Sequence, residues 1–98
     1  MKENISGNEL NQLPKLSKKT QIFHNIAGIK KSEKGEYEEA IQHFTKAIRL
    51  DPNNAISYFN RATLKIRIGD IEGARSDFKM SEYCHRNADF QFEDYPLL

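Results

Sequence analysis

Gly35-Glu36-Tyr37-Glu38-Glu39-Ala40-Ile41-Gln42-His43-Phe44-Thr45-Lys46-Ala47-Ile48-Arg49-Leu50-Asp51-Pro52-Asn53-Asn54 decides the fold. Tyr37, Ala40, Ile41, Phe44, Ala47 and Ile48 recur at spacings of three and four, which puts one apolar stripe on a helix from Tyr37 to Leu50. Glu36, Glu38 and Glu39 crowd its start, where the helix dipole favours negative charge. Gly35 is a stop for whatever helix precedes it, and Asp51-Pro52-Asn53-Asn54 is a turn, because Pro52 cannot continue a helix and Asn caps the next one.

Sliding the chain against itself by 34 residues brings this stretch onto a second copy. Gly35 falls on Gly69, Tyr37 on Ile71, Ala40 on Ala74, Phe44 on Phe78 and Ala47 on Ser81. Upstream, Ile22 falls on Ile56, Asn25 on Phe59 and Ala27-Gly28 on Arg61-Ala62. A fixed period of this length signals stacked supersecondary units. Each unit reads as two helices. The first covers roughly 21–34, capped by Thr20, with Ile22, Phe23, Ile26, Ala27 and Ile29 apolar. The second unit repeats the plan over 55–68, Gly69, a cap at Asp70, and Ile71 to about His85. Gly28 and Ala62 let the helices of each pair approach, with Ala40 and Ala74 expected opposite them and Phe44 and Phe78 filling the next turn.

This pattern resembles the tetratricopeptide repeat (TPR) family. Gly35 through Ala40, Phe44, Ala47 and Leu50-Asp51-Pro52-Asn53-Asn54 look like the second half of such a repeat; Tyr58-Phe59-Asn60-Arg61-Ala62, Gly69-Asp70, Ala74 and Phe78 look like parts of another. The departures are His24 at the family's large aromatic, Lys31 and Lys65 at its later tyrosine, and Arg86 at its closing proline. The resemblance implies an all-α superhelix of two antiparallel helical hairpins with short flanks: an N-terminal extension over 1–20, repeats over 21–54 and 55–88, and a capping segment over 89–98.

The resemblance also implies a concave face, lined by the first helix of each repeat, that binds a peptide or helix of a partner protein. Its residues here are Ile22, Asn25, Ile29, Ser32 and Glu33, then Ile56, Phe59, Asn60, Thr63, Ile66 and Arg67. An apolar floor with few charges suits an amphipathic helix or an extended apolar segment. The family's carboxylate clamp finds only Asn60 at a matching position, so a docked C-terminal carboxylate is not expected. The competing use is self-association into a homo-oligomer through an open end, with Phe90, Phe92, Tyr95, Leu97 and Leu98 as the adhesive group.

Other chemistry finds little support. The 98 residues carry 15 basic and 14 acidic side chains, and the segments 1–20, 21–54, 55–88 and 89–98 sum to +2, 0, +2 and −3. No basic stripe serves nucleic acid, and no aromatics interleave with Lys18, Lys19, Lys30, Lys31 and Lys34. A single cysteine, Cys84, excludes an internal disulfide; its place on the apolar side of a helix reads as a buried thiol. His24, His43 and His85 show no i, i+4 spacing, so no metal is expected. No phosphate loop or nucleophile motif is present, so neither an enzyme nor a cofactor is expected. No apolar run reaches the ~20 residues of a membrane span, and the first residues have no apolar leader core, so the expected location is the cytoplasm.

Overall fold

The computed structural model describes residues 7–87, with side chains described from Leu16 onward. Four helices make up this region: α1 (Gly7–Glu33), α2 (Tyr37–Leu50), α3 (Ala55–Arg67) and α4 (Ile71–Arg86). α1 packs on α2, α3 on α4, and α2 joins the two hairpins by packing on α3. The fold is the all-α pair of hairpins expected from the repeat.

The stops and starts follow the local chemistry. After α1, Gly35 sits at φ +80°; its N–H donates to the Ser32 carbonyl (2.9 Å), and the Glu36 N–H reaches back to Lys31 (2.9 Å). After α3, Gly69 sits at φ +88°, with Gly69 N–H to Ile66 (3.1 Å) and Asp70 N–H to Lys65 (2.8 Å). These are two copies of one glycine-dependent stop, 34 residues apart, and each satisfies carbonyls that a helix end leaves open. Asn54 caps α3 by accepting from the N–H groups of Ile56 and Ser57, and Asp70 caps α4 by accepting from Gly73. Between α2 and α3, the Asp51 carboxylate accepts from the Asn53 N–H (3.1 Å) and from the Gln21 amide of α1 (3.3 Å), which fixes the turn.

Three expectations need correction. The first helix does not begin at about residue 21, because α1 already starts at Gly7 and runs unbroken through residue 20. Thr20 is no cap; its hydroxyl donates to the Leu16 carbonyl one turn earlier, the bond of a residue inside a helix. Opposite Gly28 the nearest atoms belong to the Phe44 ring, not to Ala40. At the far end, where Arg86 replaces the closing proline, α4 ends two residues later than α2 does in register.

The core lies between the hairpins. One cluster joins Ala40 and Phe44 of α2 to Leu64 of α3, with Tyr37 and Ile41 against it. The other joins Ile48 of α2 to Tyr58 of α3 and Cys84 of α4, with Ala55 alongside. Phe44, only 1% exposed, contributes about 1.5–3 kcal/mol by burial. Each cluster takes side chains from both repeats, so neither hairpin completes its core alone.

Candidate interaction surface

Polar bonds to α1, α2 and α4 hold α3 in place. The Ser57 hydroxyl donates to the Asn25 amide oxygen of α1 (2.8 Å). Arg61 grips the Asp77 carboxylate of α4 with two hydrogen bonds of 2.7 Å and gives a third to the Thr45 hydroxyl of α2 (3.0 Å). Lys65, one turn on, adds an ion pair to Asp77 (3.0 Å). Asp77 is 3% exposed. Burial pushes its carboxyl up, but the hydrogen bonds and charges of Arg61 and Lys65 outweigh burial and hold it below the usual carboxylate range. At the end of α3, Arg67 lies over the Tyr37 ring (5.5 Å) and donates to its hydroxyl (2.9 Å).

On the α1–α2 side, His24 and His43 meet through their Nδ1 atoms at 3.1 Å, with Phe23 edge-on to both rings. Burial, His43 and Lys46 together lower the His24 pKa, which favours the neutral form of that ring. Among the described residues, no group of three or more histidine, cysteine, aspartate or glutamate side chains is placed to hold a metal ion. Cys84 is buried as expected; its Sγ donates to the Pro52 carbonyl (3.5 Å), and burial with Asp51 raises its pKa.

A hollow of about 830 Å³ opens on the α3–α4 hairpin. Its apolar lining includes Ile56, Phe59 and Ile66 of α3 with Ile71, Ala74 and Phe78 of α4. Arg75, Lys79, Glu82 and His85 are the charged or titratable groups around it. Phe59 and Phe78 pack edge to face, ring centres 5.4 Å apart. Ile56 is nevertheless 70% exposed and Phe59 53%.

Of the eleven groove residues expected from the sequence, the hollow gathers Ile56, Phe59 and Ile66. Ile22 and Ile29 on α1 are exposed but do not line it. Asn25 and Arg67 are engaged between the repeats, and the Thr63 hydroxyl donates to the Phe59 carbonyl (3.0 Å). Ser32 and Asn60 are half-buried and Glu33 is exposed, all outside the hollow. Phe90, Phe92, Tyr95, Leu97 and Leu98, with the capping segment expected over 89–98, lie outside the described residues. Sequence reasoning missed Ile71, Ala74 and Phe78 as lining, although the repeat offset carried the signal. They are the counterparts of Tyr37, Ala40 and Phe44, which α3 covers in the first repeat.

The family model described as TPR repeat matches residues 32–69. The chain is 36% identical over 66 residues to Tetratricopeptide repeat protein 36 of Danio rerio, covering 67% of this chain and 35% of that protein. It is 38% identical over 45 residues to Stress-induced-phosphoprotein 1 of Caenorhabditis elegans (46% and 14%). It is 47% identical over 45 residues to Hsp70-Hsp90 organizing protein 3 of Arabidopsis thaliana (46% and 8%). The chain thus spans about a third or less of the length of these relatives. No solved structure matches. No helix among the described residues is long and apolar enough to cross a membrane.

Proposed function

Because this chain belongs to the tetratricopeptide-repeat family, we propose that it is a protein–protein interaction module, an adaptor or assembly factor, that holds an apolar helix or extended segment of a partner along α1 and α3. The supporting observation is the exposure of Ile56 and Phe59, 70% and 53%, at an apolar hollow. On α1, Ile22 and Ile29 are exposed as well. Large side chains left open on a small protein mark an interaction surface. The relative named Hsp70-Hsp90 organizing protein 3 supports the adaptor class. The family's carboxylate clamp is not carried over: Asn25 already accepts a hydrogen bond from Ser57, and Ile29 offers no polar group.

Phe59→Ala tests the reading in a pull-down from the native extract followed by titration of the captured partner. Each partner Phe or Ile seated here contributes ~1.5–3 kcal/mol before ordering costs. Loss of the Phe59 ring should therefore weaken binding about tenfold or more, with helicity kept because the ring is half out of the fold. Ile22→Asp should weaken the same partner if the segment runs onto α1. Undiminished capture by both variants would sink the proposal. A chain whose mass in solution doubles, with Phe59→Ala restoring the monomer, would instead favour the homo-oligomer.

A further inference from the structure

Two imidazoles from different helices converge on the α1–α2 hairpin, away from the hollow, whose lining includes neither. The Nδ1 atoms of His24 and His43 are 3.1 Å apart and the ring centres 5.3 Å, so each Nδ1 points at the other ring. Phe23 stands edge-on to both. Both histidines are half-buried, which leaves the pair open to solvent. The backbones beneath them are held by packing: Gly28, one turn on from His24, lies against the ring of Phe44, the neighbour of His43. The pair is therefore set by the hairpin and does not depend on two long side chains finding each other.

We propose that His24 and His43 chelate a divalent transition-metal ion of the imidazole-favouring class, Zn2+, Ni2+ or Cu2+, through their Nδ1 atoms, stapling α1 to α2. Two nitrogens bound to one ion at about 2.0–2.1 Å lie about 2.9–3.4 Å apart as the angle at the ion opens from square to tetrahedral. The observed separation falls inside that bite. Without metal, one Nδ1 carries the hydrogen that the other accepts. Chelation needs a lone pair on both, so that ring moves its hydrogen to Nε2 by exchange with water. Both rings stay neutral and no net proton is released. Glu39, one turn before His43, is taken by Lys31 (3.2 Å), so water fills the remaining positions and the ion is exchangeable. Lys46 is the cation that acts on His24, and its charge weakens the site. Mg2+ and Ca2+ prefer oxygen ligands and find none offered by this pair. The proposal does not rest on the function proposed above.

Titration of the full chain with Zn2+ alone, followed by NMR of the histidine ring protons, tests the site. The His24 and His43 signals should move together and saturate at a single ion per chain, while His85 stays in place and Mg2+ moves none of them. The same ion should raise the thermal midpoint, because it binds the folded hairpin. His24→Gln and His43→Gln should each weaken binding at least about tenfold, since losing even a supporting partner of a ligand costs that much. Lys46→Gln changes an exposed side chain, keeps both rings, and should tighten binding. Signals of His24 and His43 that stay in place at a large excess of Zn2+ would overturn the proposal. So would an affinity that all three substitutions leave unchanged, or an ion shared between two chains.

Discussion

At Gly28 the helix has room for a hydrogen and nothing larger. A Cβ there would lie 2.8 Å from Cε2 and Cζ of Phe44, a ring that is 1% exposed and has nowhere to swing. Gly28→Ala gains about 1 kcal/mol of helix propensity but overpacks the site by about 1–3 kcal/mol. We expect a net loss, read as a lower urea midpoint with an unchanged slope. Asp77 makes the opposite kind of demand. Asp77→Ala leaves Arg61 and Lys65 without their buried partner and should cost about 3 kcal/mol. The sign with pH follows from the lowered pKa. Asp77's contribution is present in full above its ordinary value of 3.8 and is lost as pH falls through the lower folded value. Denaturation of the wild type and Asp77→Asn should therefore differ by a constant amount at neutral pH and converge in acid below 3.8. The sequence displayed Gly28 as a small residue but not what lay over it. Asp77 was legible in principle, since an acid sits among Ala74, Phe78 and Ser81 on the inward stripe of α4. The His24–His43 contact was not, because 19 positions across a hairpin match no single-helix spacing.

At the scale of the element, the helices begin by different devices, and the difference is measurable. The Asn54 side chain accepts from two backbone N–H groups of α3, so Asn54→Ala should cost about 1 kcal/mol. Glu36 precedes α2 without any side-chain cap, and its carboxylate makes a half-exposed ion pair of 3.2 Å with Lys31, so Glu36→Ala should cost clearly less than Asn54→Ala. Thermal melts of the two variants side by side give the comparison, and an equal loss would contradict it. These boundaries were readable because glycine stops, Asx caps and the Asp51-Pro52 turn act within a few residues of themselves. The start of α1 was not. Thr20 and Pro14 both signal a helix beginning locally, yet α1 runs through them from Gly7 to Glu33, and local propensity is a weak prior against the rest of the helix.

Over the whole molecule, stability depends on the seam between α2 and α3. Leu64 belongs to the second repeat and is buried against Ala40 and Phe44 of the first, while Arg61 ties Asp77 to Thr45 across the same seam. Leu64→Ala should cost about 2–5 kcal/mol and, by thinning the coupling between units, broaden the unfolding transition. A sharp transition with only a shifted midpoint would show that the hairpins stay coupled without it. The architecture at this scale was the most legible, since a 34-residue offset in Gly, Ala and Phe already implies stacked hairpins. The hollow was less so, because it takes residues from both helices of a repeat whereas the expected groove followed only the first.

The length of α1 gives the array a polarity. Where the second repeat is preceded by the turn at Asp51–Asn54, the first is preceded by unbroken helix through residues 17–20. A further hairpin spliced in ahead of the first would therefore have to break α1, whereas one spliced in after Asn87 would meet a seat already formed by Ala74 and Phe78. Engineered lengthening should succeed in one direction only, like a zipper with its box at one end.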